Sequence, residues 1–318
     1  GWDSMKLFFS EVLDANAPVA PQISLDTGAI PMTYFDIDGS ELNGFYSIPG
    51  DLDVGTQVPV VIIIHDLDGI GDYELTRASM INDLGYVGFV ADIYSKALFT
   101  TTDFTNRTQT TELLGYYRDN VELFTQRIKA AITAAKSLPN VDPEKIAIIG
   151  YCFGGTGAIT YALEGESEAV AVVSFHGGLS TLVPKGLPIQ TKMLIQSGGS
   201  DDASSSVVDL EAALNEGGAE WEMTRYSGVV HAFTVFNDMR GRYNVRADTH
   251  SWTAMGTFLT SAFGRVEVTL NNITDIPIIG VGNNSSTDTV TENVDALISK
   301  GFLVNPISLS FFAGQVIL

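Results

Sequence analysis

The chain carries one cysteine, Cys152, and only four histidines among 318 residues. A single thiol excludes an intrachain disulfide and any Cys-x-x-Cys redox or metal motif, so no metal site is expected. Cys152 is left as core filler, an intermolecular link or a reactive group. Basic residues are also scarce, 17 against 38 acidic, for a formal net charge of −21. Phosphate recognition needs clustered Lys and Arg, so nucleic acid and anionic membranes are excluded as partners. No apolar run reaches bilayer length, so membrane insertion is not expected. The opening GWDSMKLFFS lacks the basic-then-apolar order of a leader, and its first Gly suggests trimming. Sequons stand at Asn106, Asn272, Asn283 and Asn284. The acidic surface, sequons and trimmed start lean towards a secreted or periplasmic location over a cytoplasmic one; a free thiol without disulfides leans the other way.

What is present is a 45% hydrophobic composition, enough for a large core. Residues 1–30 read as an N-terminal extension. Thr33 to Ile48 reads as two strands around the Asp38-Gly39 turn. Continuous β-branched runs follow at Pro59–Ile64, Tyr86–Ala91, Ile146–Ile149, Val170–Phe175 and Met193–Ile195, as expected of strands buried on both faces. Between them lie helical patterns at Glu112–Leu138, Thr156–Leu163, Val207–Leu214 and Ser251–Phe263. The alternation predicts an α/β fold with a mostly parallel central sheet and helices on both faces over residues 31–265. Residues 266–318 read as an appended β-rich tail, with a polar loop at Gly282–Thr291, a weak helix near Val294–Ser299 and a β-prone end from Ile307. This tail is a candidate for assembly into a homo-oligomer.

The sharpest local signal is IAIIGYCFGG, Ile146 to Gly155. An apolar strand runs into Gly150-Tyr151-Cys152-Phe153-Gly154 and then a helix, the nucleophile-elbow pattern G-x-S-x-G with Cys for Ser. The glycines suit a sharp turn, and the helix N-terminus favours thiolate and a bound oxyanion. The alternative is a buried Cys in a tight turn. Downstream, MLIQSGGSDD places Asp201 just past a strand end, with Asp202 as its competitor, and YSGVVHAF places His231 in a loop after the strand Trp221–Tyr226. The order Cys, Asp, His is the one such a fold requires. His231 would hold the thiol proton, Asp201 would fix its tautomer, and the thiolate would attack a carbonyl. The loop His65-Asp66-Leu67 follows the strand PVVIII; oxyanion donors are expected from the amides of Leu67 and Phe153. His65 and Asp66 are candidates to support the thiol or simply to cap a strand end. His176 lies at the same sheet edge and is the more easily read as a structural hydrogen-bonder. His250 has no assigned role.

Together these segments resemble the dienelactone hydrolase family of α/β-hydrolases. The resemblance rests on ADIY (Ala91–Tyr94), GYCFGG (Gly150–Gly155), SFHGGL (Ser174–Leu179), GGSD (Gly198–Asp201), HAFT (His231–Thr234) and YNVRADTHSWTAMGTFL (Tyr243–Leu259), and covers roughly residues 30 to 265. It implies a Cys-His-Asp triad, no cofactor, an acyl-enzyme route, and lactones or small esters as substrates. It also implies that the acidic residue of the first loop, here Asp66 where a Glu is usual, touches the resting thiol. Family members that cleave dienelactone hold the substrate carboxylate with arginines. At the corresponding places stand Ser95-Lys96 after Tyr94, and Thr234, Val235 and Phe236 after His231. Lys is a poor substitute for bidentate Arg, so an uncharged or larger ester is the expected alternative substrate, in a pocket with Tyr94, Lys96, His176 and Phe236. A different class of function stays open: a binding or assembly protein built on a hydrolase fold, with the tail as its working part. A redox-sensing thiol at Cys152 is the third reading, and it leaves Asp201 and His231 unexplained.

Overall fold

The computed structural model describes residues 20–264 except 24–26, 51, 54, 181 and 183, together with the backbone of 310–312 and 315–317. The chain divides into two compact units, 1–263 and 264–318. In the second, β9 (Ser310–Phe312) pairs antiparallel with β10 (Gln315–Ile317). The expected helix near 294–299, the polar loop at 282–291, most of the N-terminal extension and three of the four sequons lie outside the described residues.

The first unit is an eight-stranded sheet in the order β1-β2-β4-β3-β5-β6-β7-β8. Its strands are β1 (Ile30–Phe35), β2 (Glu41–Ser47), β3 (Val58–Ile64), β4 (Val87–Ala91), β5 (Val141–Tyr151), β6 (Ala171–Phe175), β7 (Lys192–Gly198) and β8 (Trp221–Tyr226). β1 and β2 form the hairpin around Asp38-Gly39, β2 runs antiparallel to β4, and every pairing from β4 to β8 is parallel. The helices are α1 (Asp72–Asn82), α2 (Ser95–Thr101), α3 (Arg107–Asp119), α4 (Val121–Lys136), α5 (Phe153–Leu163), α6 (Ser204–Glu216) and α7 (Val245–Ala262).

Strand periodicity divides the core in two. Val60, Ile62 and Ile64 of β3, with Ile146 and Ile148 of β5, face α3, α4, α5 and α6. Val61 and Ile63, with Ala147, Ile149 and Tyr151, face α1 and α7. Successive side chains of a strand point to opposite sides, so an unbroken apolar run serves two layers of helices. The chain runs outwards from β3 to β4 on one side and to β5 on the other. The carboxyl ends of β3 and β5 flank that reversal, where open α/β sheets bind ligands.

Two helices differ from expectation. The pattern at 112–138 is two helices broken at Asn120, whose φ of −118° and ψ of 61° are not helical. The first buries Thr110, Leu113 and Tyr117, and Asn106 caps it by accepting from the Thr108 amide at 3.0 Å. The last helix begins at Val245 rather than Ser251, because Asn244 caps it through the Ala247 amide and polar residues fill its first two turns. α1 escaped the sequence pattern because its inward face carries Glu74, Thr76 and Arg77 beside Tyr73, Ala78 and Ile81.

Arg77 and Asp248 lock α1 to α7. Nη2 of Arg77 lies 2.6 Å from Asp248 Oδ1, with both side chains nearly inaccessible (1% and 3% exposed). The guanidinium also lies against the rings of Tyr73, Tyr151, Phe236 and Trp252. A buried charge stripped of its partner is strongly destabilising, whereas an apolar replacement of the whole pair is much better tolerated. Asp248→Asn should therefore cost about 3 kcal/mol or more in urea unfolding, and Arg77→Met combined with Asp248→Leu should cost less than that single change. A double variant as unstable as the sum of its singles would show that packing, not charge, holds this joint.

Candidate active site

β5 delivers the chain into the turn at Cys152, whose φ of 50° and ψ of −107° lie outside the ordinary regions for a side-chain-bearing residue. The glycines around it answer to close approach. A Cβ on Gly150 would stand 2.0 Å from the Gly154 carbonyl oxygen, and one on Gly154 would stand 2.2 Å from that of Ile64. Such strain costs on the order of 1–3 kcal/mol and persists only where surroundings enforce it. Besides Cys152, the positive-φ non-glycine residues among those described are Ser95, His176 and Ala232, each close after β4, β6 or β8.

The structure brings Cys152, His231 and Asp201 together. His231 Nε2 lies 3.0 Å from the sulfur, and its Nδ1 lies 2.9 Å from Asp201 Oδ2. Asp202 faces elsewhere: its Oδ1 accepts from the Leu179 amide at 3.0 Å, which fixes the loop after β6. Burial depresses the basicity of His231, but its hydrogen bond and charge interaction with Asp201 outweigh this and raise it above the ordinary value. Burial pushes the Cys152 thiol well up, and the Asp66 carboxylate, by its charge and a hydrogen bond, pushes it further; the Phe153 amide works in the opposite direction. Cys152 therefore rests protonated at neutral pH.

The first loop is occupied. The Leu67 amide, expected to be an oxyanion donor, donates to the carboxylate of Asp66. Burial and the neighbouring Asp68 raise the Asp66 carboxyl. His65 supports this loop through its backbone: Nδ1 donates to the Asp66 carbonyl at 2.6 Å, and Nε2 accepts from the Ile93 amide at 3.3 Å. Its ring stacks on Phe153 and tilts against Tyr94.

The four expected pocket residues have different surroundings. Tyr94 is fully buried, and its hydroxyl donates to the Leu67 carbonyl at 2.8 Å. Lys96 is exposed with its ammonium 2.9 Å from Glu41. Phe236 packs on Tyr73 and Arg77, drawn there by the buried cation. His176 is fully buried beside the elbow. Sequence reasoning missed Glu74, Thr234, Tyr73 and Arg77. Thr234 lay inside the HAFT segment, and Glu74 stands three residues after Gly71 at capping spacing; nothing local marked the other two. Among the described residues no group of three or more His, Cys, Asp or Glu is placed to hold a metal ion, and no helix is long and apolar enough to cross a membrane.

Comparison with known proteins gives the family. The model of the dienelactone hydrolase family matches residues 45–263. A protein of Synechocystis sp. provisionally named a carboxymethylenebutenolidase is 29% identical over 209 residues, covering 62% of this chain and 83% of that one. A carboxymethylenebutenolidase of Pseudomonas sp. is 26% identical over 146 residues, 45% of this chain and 60% of that one. Among solved structures, a dienelactone hydrolase-like promiscuous phosphotriesterase from metagenomic libraries superposes with a TM-score of 0.64 at 25% identity, covering 74% of this chain and 98% of that one.

Glu74 makes the first loop sensitive to pH. It is buried at the start of α1, where its two oxygens accept from the amides of Asp66 (3.2 Å) and Gly71 (3.0 Å). Burial, and then the charge of Asp66, push its carboxyl up to about 8 from an ordinary 4.5. A carboxyl raised on folding favours the protonated folded state. The stabilisation is complete below the unfolded value and is lost as pH rises towards the folded one, at up to ~1.4 kcal/mol per pH unit. Urea unfolding should show stability declining between pH 5 and pH 8, with a shallower decline in Glu74→Gln. Equal slopes would assign the pH dependence to other groups.

Proposed function

The chain belongs to the dienelactone hydrolase family and is a carboxylic-ester hydrolase, and we propose that it cleaves a small ester or lactone with Cys152 as nucleophile, His231 as base and Asp201 as the group that orients the base. The observation that carries this reading is the unbroken line from Asp201 Oδ2 through His231 to the Cys152 sulfur, at 2.9 and 3.0 Å. Nε2 takes the thiol proton as sulfur bonds to the carbonyl carbon, and Asp201 stabilises the imidazolium that forms. The carbonyl oxygen becomes an oxyanion and needs the Phe153 and Leu67 amides. Asp66 must release Leu67 for that, and its departure removes the negative charge that keeps the thiol protonated. Substrate entry thus supplies a donor and activates the nucleophile in one movement. Collapse of the tetrahedral species breaks the bond to the alkoxide, which takes the proton from His231. Water then attacks the thioester with His231 again as base, and the acid and free thiol are restored.

The test is a panel of p-nitrophenyl esters and small lactones, comparing wild type with Cys152→Ala and Cys152→Ser. The alanine variant should lose activity by on the order of 10³-fold or more while keeping its fold, since removing the nucleophile of a triad leaves only the rest of the site. The serine variant should fall between the two, because a hydroxyl needs more help from the base than a thiol. Wild-type turnover in Cys152→Ala would overturn the mechanism.

Arg118 points to the charge of the substrate. Arg242 is held by both oxygens of Asp238, at 2.7 and 3.1 Å, and Lys96 is held by Glu41. The half-buried Arg118 has no hydrogen bond or ion pair among the described residues. Its Nη2 lies 3.5 Å from where a Cβ of Gly178 would stand, and burial destabilises its charge while a Cys152 thiolate would stabilise it. An ester bearing a free carboxylate fits this cation. Arg118→Gln should raise KM for a hemisuccinate ester by about tenfold, ~1.4 kcal/mol, and leave a neutral ester of equal length unchanged. An equal effect on both esters would remove Arg118 from recognition.

A further inference from the structure

Two acceptors share the Cys152 amide. The Phe175 carbonyl lies at 3.0 Å and His176 Nδ1 at 3.1 Å. A backbone N–H can only donate, so Nδ1 carries the lone pair and the ring proton sits on Nε2. Nε2 therefore donates to Thr234 Oγ1 at 2.8 Å. Thr234 shares a 2.8 Å hydrogen bond with the Tyr73 hydroxyl, whose oxygen accepts from Arg77 Nε at 3.3 Å. Arg77 Nη2 also grips the Thr234 carbonyl at 2.8 Å. Thr234 belongs to the loop that carries His231, three residues further on. The same imidazole stands edge-on to the His231 ring, with centroids 5.2 Å apart. His176 is wholly buried, and its own φ is 42°.

We propose that His176 is a positioning residue that sets the distance between the nucleophile and its base, by holding the Cys152 amide with one ring nitrogen and the Thr234 hydroxyl of the His231 loop with the other. This rests on the reading of Cys152 and His231 as nucleophile and base. The two loops leave the ends of different strands, β5 and β8, and His176 follows β6 between them. A rigid ring with an acceptor on one side and a donor on the other bridges the Cys152 amide and the Thr234 hydroxyl. The positive φ at Cys152 is held by this bridge together with the Phe175 carbonyl. Displacement of about 1 Å between reacting groups can cost about 10² in rate, so the bridge is expected to act on kcat more than on KM.

Asn and Gln separate the two contacts. In His176→Asn, Oδ1 takes the place of Nδ1 and can still accept from Cys152. In His176→Gln, Nε2 takes the place of the ring Nε2 and can still donate to Thr234. Each variant keeps one contact and breaks the bridge, so on an ester that wild type hydrolyses both should lose kcat by about 10- to 100-fold at little-changed KM. From the other end, Thr234→Ser should match wild type and Thr234→Val should lower kcat, a comparison that stands if a His176 variant does not fold. Alkylation of Cys152 by iodoacetamide reads the same geometry without turnover and should be slower than in wild type in both variants. Wild-type kcat and alkylation in either folded variant, or equal kcat in Thr234→Ser and Thr234→Val, overturns the proposal. Wild-type turnover that survives Cys152→Ala instead overturns the reading of the triad, and alkylation then decides the role of His176 alone.

Discussion

The amide hydrogen of Cys152 is the smallest group on which this site depends. It points inwards because the backbone is held at a positive φ, and it is held there by a carbonyl and an imidazole from the next strand. The sulfur is thereby turned towards His231, and the Phe153 amide is presented at the start of α5. The glycines of the elbow remove the side chains that would collide, but they do not impose the conformation. Hydrogen bonds impose it, and these reach back through Thr234 and Tyr73 to a buried cation between α1 and α7.

On the other side of the thiol the constraint is electrostatic. Asp66, Asp68 and Glu74 crowd one loop, and burial raises both Asp66 and Glu74. A carboxylate beside a thiol opposes the thiolate, so the free protein keeps this thiol protonated, in a form less open to stray electrophiles and oxidants. The same carboxylate holds the Leu67 amide. In the proposed reaction, reactivity appears together with the substrate, because the carbonyl that draws Leu67 away also frees the thiol from Asp66.

The parallel sheet was legible because β3, β4 and the second half of β5 bury both faces and are written in residues without charge. The elbow was legible because its glycines are forced by contacts under 3 Å, and steric necessity of that kind leaves a fixed spelling. Asp201 and His231 followed from strand ends and chain order. α1 was not legible, because a helix that buries Glu74 and Arg77 breaks the apolar periodicity by which helices are found. The break at Asn120 was hidden for a related reason: both flanking helices present apolar residues to one layer, so the period runs across the kink. Tyr94, Phe236, Lys96 and His176 lay close to the motifs in sequence, and nothing in a linear pattern states which way a side chain turns. Phe236 turned towards Arg77, whose burial only the fold reveals.

The Arg77–Asp248 joint has a consequence in time. Asp248 lies in α7, the last helix of this unit, and Arg77 lies in the first. A chain still being synthesised exposes Cys152, Asp201 and His231 before it exposes Asp248. Until α7 arrives, Arg77 has no buried counter-ion, and its hold on Tyr73 and on the Thr234 carbonyl is not anchored. The order of synthesis therefore makes the brace behind the nucleophile a late event. A chain that ends before residue 248 therefore carries Cys152, Asp201 and His231 with no counter-ion for Arg77 behind them.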